Sequence, residues 1–171
     1  SGTDARCTTT TMPGSPPLTE TTIDGPKTTR WVLEASDCKP LAVQRIARLG
    51  IDSAVAPYER VRLHPRGSFV MICVEGSGRV LLDGRWQTLG KGTACMASPR
   101  VPNAFHALPG KAWRFLWLRY DEPAFVTPLV SASSPVKVKV DVDQLLHVWE
   151  GLRAEWETTR DAKALHHWIE L

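Results

Sequence analysis

Residues 58–120 decide the fold and read YERVRLHPRGSFVMICVEGSGRVLLDGRWQTLGKGTACMASPRVPNAFHALPGKAWRFLWLRY. Apolar and polar residues alternate along this stretch, which is the pattern of half-buried β-strands. The groups GSG, DGR, GKG, SPR and PGK interrupt the alternation at short intervals, as turns do. The stretch therefore predicts an antiparallel β-barrel or sandwich, and small barrels of this kind hold one small ligand in their interior.

The composition of the chain limits the other classes of function. The 171 residues are 43% hydrophobic and 23% charged, with a net charge of +3 and no basic run that indicates nucleic-acid binding. No apolar stretch is long enough to cross a bilayer, and the N-terminus lacks the layout of a signal peptide. The four cysteines lack metal-site spacing, and those in apolar strands, Cys73 and Cys95, predict buried thiols in a reducing compartment. We therefore expect a soluble cytoplasmic domain that does not bind membranes.

Three segments of the chain differ in composition. Residues 1–29 are rich in Thr, Pro, Gly and Ser and predict a flexible N-terminal arm, which can still become ordered against the barrel or its ligand. Residues 30–140 contain the predicted strands, including two short strands within 31–47. Residues 141–171 change to a helical period and predict C-terminal α-helices.

The first predicted helix carries an apolar stripe at helical spacing, formed by Leu145, Trp149, Leu152 and Trp156. One interpretation is a helix packed on the outside of its own barrel. The other is a dimer interface, because two tryptophans on one helical face are more hydrophobic than packing on a barrel usually requires. We expect the second arrangement, a homodimer formed through this helix.

Five short motifs occur in order along the strands. They are Tyr58-x-x-x-Arg62, V-x-G-x-G-R-V-x-x-D-G at 74–84, L-G-K-G-T at 89–93, P-x-x-x-H at 102–106 and W-x-F-x-W-x-x-Y at 113–120. In this order they resemble the cupin fold, and within it the N-terminal ligand-binding and dimerisation domain of AraC-type transcription regulators. The resemblance implies an all-β jelly-roll barrel, also called a double-stranded β-helix, followed by α-helices.

The same resemblance carries an expectation about DNA. Members of the family usually have two helix-turn-helix units after this domain. The helical pattern is still running at Leu171, so we expect the DNA-binding domain to lie beyond it. The chain itself is then expected to bind a small-molecule effector, with DNA bound only through that missing C-terminal domain.

Metal-binding cupins use an H-x-H-x(4)-E motif and a later histidine. Aligned with this pattern, the chain keeps only His64 and His106, because Arg62 replaces the first histidine and Phe69 replaces the carboxylate. A guanidinium repels a divalent cation, and two imidazoles make a weak site. We therefore expect no metal, no other cofactor and no enzymatic activity. The alternative is a metal-dependent cupin enzyme, such as a dioxygenase or an isomerase.

Five residues make up the predicted ligand-binding site: Arg62, His64, His106, Phe115 and Trp117. The guanidinium of Arg62 suits a carboxylate or the vicinal hydroxyls of a sugar. In sugar-responsive relatives a pocket histidine and a stacking tryptophan stand at what are here Phe115 and Trp117, so the resemblance implies that only the stacking partner remains. His64 has the alternative role of a solvated loop residue, and His106 that of a core histidine bonded to backbone. The expected effector is a small polar metabolite, sugar-like or a carboxylate, and a third interpretation is a ligandless oligomerisation module.

Overall fold

The computed structural model describes residues 18–121, 132 and 134–171. Residues 1–17 of the predicted arm, with Cys7, lie outside the described residues. Within the described part of the chain, ten strands and three helices are formed. They are β1 (Thr21–Ile23), β2 (Thr29–Glu34), α1 (Lys39–Val43), β3 (Ile46–Ala54), β4 (Glu59–Arg62), β5 (Ser68–Leu82), β6 (Arg85–Gly90), β7 (Thr93–Ala97), β8 (Asn103–Ala107), β9 (Trp113–Tyr120), β10 (Val136–Lys139), α2 (Val142–Glu157) and α3 (Ala162–Glu170). None of these helices is long and apolar enough to span a membrane.

The strands form two antiparallel layers that have β5 in common. The first layer has the order β2-β3-β9-β5-β7-β10, and the second has the order β1-β4-β8-β5-β6. The first half of β5 pairs with β9, and the second half pairs with β6. Because one strand passes from layer to layer, the sheet curls into a half-barrel with an interior between the layers. This confirms the expected all-β jelly-roll class followed by C-terminal helices.

The strand β5 changes layer at the GSG group, residues 76–78, where the sequence predicts a turn. The pairing of β5 with β9 shifts register between Cys73 and Glu75, and Gly76 has a φ of +71°, which other residues rarely adopt. A Cβ at Gly76 would lie 1.9 Å from the carbonyl oxygen of Ala112. The GSG group is therefore a bulge that redirects one long strand. The sequence predicts two strands here, one on each side of the GSG group, and the structure joins them into the single strand β5.

Residues 31–47 also differ from the prediction of two short strands. The short helix α1 lies between β2 and β3, with Pro40 in its first turn, where a missing backbone N–H removes no helical hydrogen bond. Leu41 is fully buried in the cluster of side chains that also contains Leu165 of α3. Packing against α3 therefore outweighs the weak local preference for a strand at this position.

Two apolar clusters lie on opposite faces of the first layer. The cluster between the layers is aromatic and contains Tyr58, Phe69, Phe105, Trp113, Phe115 and Trp117. The outer cluster is mainly aliphatic on the strands and is covered by α2 and α3. Along β5 successive residues alternate between the two clusters, since neighbouring side chains of a strand point to opposite faces. Cys73 and Cys95 are buried and free, which confirms their predicted burial.

The stripe predicted as a dimer interface faces the protein's own barrel. Trp149 and Leu152 are 7% and 3% exposed within the single chain, and they belong to the outer cluster. Leu145 and Trp156 pack against the same cluster and are partly buried. The stripe is therefore an intramolecular packing surface in this structure, as in the first of its two interpretations. The homodimer expected through this helix stays a prediction, since Leu145 and Trp156 keep part of their surface exposed.

Candidate ligand-binding site

A cavity of about 190 Å³ lies between the two layers, bounded by side chains of six strands. Sites for drug-sized ligands usually measure about 300–1,000 Å³, so this cavity suits a smaller metabolite. The wall combines charged side chains with aromatic rings. Its lining residues are Arg30, Val32, Glu34, Arg48, Asp52, Tyr58, Arg60, Arg62, Phe69, Phe105, Phe115, Trp117 and Arg119.

Strand register arranges the inner face of the first layer into three rows across β2, β3, β9 and β5. Neighbouring rows are two residues apart along each strand, or about 7 Å, because alternate side chains share a face. The first row is Glu34, Arg48, Arg119 and Phe69; the second is Val32, Gly50, Trp117 and Met71; the third is Arg30, Asp52, Phe115 and Cys73. The polarity of the cavity therefore changes along its length.

Asp52, in the third row, is the centre of a buried hydrogen-bond cluster. It is 1% exposed, and its carboxylate accepts hydrogen bonds from the indole of Trp117 at 2.9 Å and the phenol of Tyr58 at 3.3 Å. The guanidinium of Arg30 also donates to it, at 3.2 Å. Burial and the charge of Asp52 raise the pKa of Tyr58 above its ordinary value, so the phenol keeps its proton and stays a donor. The charge of Asp52 is thus compensated from within the protein.

Gly50, in the second row, leaves the space in which Trp117 lies. A Cβ at Gly50 would be 2.7 Å from the indole Cζ2 of Trp117 and 2.5 Å from the carbonyl oxygen of Trp31. The indole ring therefore packs directly over Gly50, and its bond to Asp52 fixes its orientation. Held in this way, Trp117 is a rigid flat surface in the cavity wall.

An arginine cluster, formed by Arg48, Arg62 and Arg119, lies at the other end of the cavity. Arg48 and Arg119 are directly opposite each other on β3 and β9, in the first row. Arg62 reaches this row from the second layer, because its guanidinium carbon lies 5.8 Å from the ring centre of Phe69, another residue of the row. Among the described residues, no carboxylate oxygen lies within 4 Å of a guanidinium nitrogen of the three.

The arginine cluster is electrostatically unfavourable in the empty cavity. Burial and the charge of Arg119 lower the pKa of Arg62 to about 10, and burial and Arg48 lower the pKa of Arg119. Arginine nevertheless stays protonated at neutral pH. Three positive charges are therefore held together, and Glu34, the carboxylate opposite Arg48 in the first row, is exposed and forms no ion pair with any of them.

The described part of the N-terminal arm lies against β4, since β1 pairs with that strand. The carboxylate of Asp24 binds the guanidinium of Arg60, which is 2% exposed, and also that of Arg30 at 3.2 Å. The hydrogen bond from Arg60 lowers the pKa of Asp24. The backbone N–H of Leu63 donates to the carboxylate of Glu20 at 2.8 Å. Arg30 and Arg60 thus have acidic partners, in contrast to the arginine cluster.

Of the five predicted ligand-binding residues, three line the cavity: Arg62, Phe115 and Trp117. Arg62 belongs to the arginine cluster, Trp117 forms the flat wall of the second row, and Phe115 lies beside Asp52 in the third row. The structure therefore brings these three residues to one interior, as the sequence predicts.

The two predicted histidines lie away from the cavity lining. His64 follows the end of β4 and is exposed. Phe105 faces the cavity, so His106, the next residue of β8, points to the opposite face, where its ring contacts the edge of Trp86 at a centroid distance of 4.8 Å. In the described part of the chain, no three side chains of His, Cys, Asp or Glu come together as a metal-binding group.

Sequence reasoning missed the charged lining residues of β2, β3 and β9, which include Arg30, Arg48, Asp52 and Arg119. The signal for Arg119 was present, because it shares the strand face of Trp113, Phe115 and Trp117 in the printed sequence. The other three depend on the pairing of β2 and β3 with β9, which no local pattern specifies.

Comparison with solved structures finds similar chains at low sequence identity. The chain is similar to the cupin domain of an XRE family transcriptional regulator from Enterobacter cloacae, at 12% identity and a TM-score of 0.47, covering 56% of this chain and 98% of that one. It is similar to the polyketide cyclase RemF from Streptomyces resistomycificus, at 22% identity and a TM-score of 0.47, covering 64% and 75%. A cupin superfamily protein from Desulfitobacterium hafniense is similar at 12% identity and a TM-score of 0.46, covering 57% and 80%.

Comparison of the sequence itself gives a more specific result. No curated protein matches the chain. The family model of the AraC-like ligand-binding domain matches residues 53–168. The matched segment includes the cavity residues Arg62, Phe115, Trp117 and Arg119. It also includes both C-terminal helices except the last residues of α3. Since this match covers more than half of the 171 residues, the chain belongs to the family of AraC-like ligand-binding domains.

Proposed function

We propose that the protein is the effector-sensing domain of a cytoplasmic AraC-type transcription regulator and that it has no enzymatic activity. The observation that best supports this is the small cavity between the layers, whose wall combines buried charges with aromatic rings. A concave site in which aromatic walls surround fixed polar groups is typical of small-molecule binding. The effector in this proposal is a small polar metabolite that contacts Arg62, Phe115 and Trp117.

The bound effector acts on two neighbouring parts of the domain. The first is the arm, because Asp24 binds Arg30 and Arg60, and both arginines line the cavity. The second is α2, which packs on the outer face of the layer whose inner face carries the three rows. A ligand changes the position of either part only if it binds one arrangement more tightly than the other. The readout is a helix-turn-helix domain, the DNA-binding partner in this proposal.

The proposal includes a homodimer formed through the C-terminal helices. Because Trp149 and Leu152 are buried against the barrel, the contact uses the side of α2 that faces away from it. Sedimentation or light scattering of the purified chain tests this part separately. A monomer at every accessible protein concentration would contradict it.

A thermal-shift screen of neutral sugars and small organic acids tests the sensing function. At a hundredfold excess over Kd a ligand stabilises its protein by about 2.7 kcal/mol. For a domain of this size that corresponds to a rise in Tm of about 5–10 °C. We expect this rise for the parent and for the matched control Arg79→Ala, an exposed arginine on β5, and not for Arg62→Ala. Equal stabilisation of Arg62→Ala would show that the proposed site is wrong.

Elemental analysis separates this function from that of a metal-dependent enzyme. We expect no stoichiometric Fe, Mn, Ni or Zn in the purified protein, since His64 is exposed and His106 faces away from the cavity. Stoichiometric metal that disappears in His64→Ala and His106→Ala would support the enzyme instead.

A further inference from the structure

The charges of the cavity wall do not balance. Five arginines line it, against two carboxylates. Arg30 and Arg60 are paired, with Asp52 and Asp24 as their partners. Glu34, the second carboxylate of the wall, is exposed and forms no ion pair with another described residue. The excess positive charge is therefore concentrated at one end, in the arginine cluster.

Within the residues that the structure describes, folding alone does not account for this cluster. Like charges repel strongly where burial removes the water that would screen them. An apolar residue or one acidic partner at any of the three positions would make the empty domain more stable. Residues that lower the stability of an empty protein and share a cavity are typical of a binding site, where the ligand removes the unfavourable interaction.

A buried amide next to the cluster has the same deficit. Asn103 is 4% exposed, and neither the nitrogen nor the oxygen of its side chain has a hydrogen-bond partner among the described residues. It is paired with Arg62 across β4 and β8, so both side chains are on the inner face of the second layer. An unpaired buried amide costs about 1–3 kcal/mol, so Asn103 also lowers the stability of the domain beside the cluster.

The wall next to the cluster is apolar. Trp117 and Val32 follow in the second row, and the rings of Phe69 and Phe105 stack at 5.7 Å. Beyond them the carboxylate of Asp52 already has its donors. The cavity therefore matches a molecule with its polar group at one end and a compact apolar body behind it.

We infer that the effector is a small anion whose carboxylate or phosphate group binds Arg48, Arg62 and Arg119, and whose apolar body lies against Trp117. This inference rests on the proposed sensing function and specifies its ligand. Guanidinium groups bind carboxylates and phosphates through paired, charge-assisted hydrogen bonds, and these anions supply only acceptors. The neutral sugars of related regulators would leave the repulsion within the cluster unchanged.

Matched pairs of compounds that differ in charge test the inference. Benzoate is compared with benzamide for the carboxylate, and phenyl phosphate with phenol for the phosphate, all at one ionic strength set with NaCl. Thermal shift and titration calorimetry are measured for the parent, Arg62→Gln, Arg119→Gln and the control Arg79→Gln. We expect at least one anion to raise the Tm of the parent and the control, with its neutral partner ineffective. Affinity should fall at least tenfold in Arg62→Gln and in Arg119→Gln.

The same variants give a second measurement without any ligand. Because each substitution removes a repelling charge, Arg62→Gln and Arg119→Gln should unfold at the same temperature as the parent or at a higher one. Lower unfolding temperatures in the absence of anions would contradict the inference, as would equal binding of benzoate to all four proteins. If a neutral sugar stabilises the parent and neither anion does, the sensing function stands and the anion inference is wrong. If no charged or neutral compound binds, the sensing function itself fails.

Discussion

Replacing Asp52 with asparagine tests whether the buried cluster of the third row stabilises the domain. The change keeps the shape of the side chain and removes its charge. In the parent, one carboxylate oxygen accepts from Trp117 and the other from Tyr58, and Arg30 donates to both. In Asp52→Asn the amide oxygen must face Trp117, because an indole is a donor only. The amide nitrogen then faces Tyr58, whose hydroxyl can turn to accept.

The expected loss of stability follows from these contacts. A hydrogen bond to a charged group contributes about 1.5–3 kcal/mol and a neutral one about 1 kcal/mol. Asp52→Asn replaces the charge-assisted bonds from Trp117 and Tyr58 with weaker ones, and Arg30 keeps a bond to the amide oxygen but loses its bonds to the second oxygen. The guanidinium of Arg30 is 37% exposed, so it recovers part of this loss from water. We expect a decrease in the free energy of unfolding of about 2–3 kcal/mol, or about 5–10 °C in Tm.

Urea denaturation followed by tryptophan fluorescence measures this decrease. Asp37→Asn is the matched control, because Asp37 is exposed, and we expect a change within about 0.5 kcal/mol. Combining Asp52→Asn with Tyr58→Phe in a double-mutant cycle should give a coupling free energy of about 0.5–1 kcal/mol. If Asp52→Asn is as stable as Asp37→Asn, the cluster contributes nothing and the reasoning is refuted.

Three further predictions concern the helices and the arm. Gly151→Ala places a Cβ 2.4 Å from the indole of Trp168. We expect chemical denaturation to show a decrease of about 1–2 kcal/mol in the free energy of unfolding, because overpacking outweighs the higher helix propensity of alanine. An increase in the free energy of unfolding would contradict this packing. Arg60 lowers the pKa of Asp24 below 3.8, so their ion pair stabilises the arm above that pH and is lost as the pH falls below it. Hydrogen-exchange protection factors of the β1 amides, which correct for the intrinsic effect of pH on exchange, should therefore fall at low pH, and at neutral pH in Asp24→Asn. Protection factors that are the same in the parent and in Asp24→Asn at neutral pH would exclude this role. Leu152 is buried, so Leu152→Ala should lower the free energy of unfolding by about 2–5 kcal/mol, measured by chemical denaturation, at every protein concentration. If Leu152→Ala instead separates a dimer into monomers of unchanged stability, Leu152 lies in an interface between subunits.

The layers of the fold could be predicted from the sequence because the period of a strand is fixed by geometry. Alternation in WRFLWLRY places Trp113, Phe115 and Trp117 on one face, and all three are buried between the layers. Asp83-Gly84 predicts the hairpin that joins β5 and β6, and both residues have the positive φ angles that such a turn requires. These features depend only on neighbouring residues.

The composition of the site could not be predicted in the same way. Arg48 and Arg119 become neighbours only because β3 pairs with β9, and the two residues are far apart in the chain. The position of His106 outside the cavity lining has a more local cause. Burial in NAFHA does not alternate, so the sequence alone leaves open which residues of β8 face inward. The family motif places His106 at the pocket rim, whereas Phe105 occupies the inner face in this chain.

The net charge of +3 does not indicate what the cavity binds, because the two ends of the cavity differ in whether their charged groups have partners within the protein. At the Asp52 end each charge has a partner within the protein, so the arrangement stabilises the fold whether or not a ligand is present. At the opposite end, among the described residues, the guanidinium of Arg62 has no ion-pair partner and the amide of Asn103 has no hydrogen-bond partner. Unpaired buried groups lower stability, and in the proposed function a bound anion offsets this loss at the arginine cluster. In that proposal the residues that specify the effector are distinguished by the partners they lack, and only the folded structure reveals that they lack them.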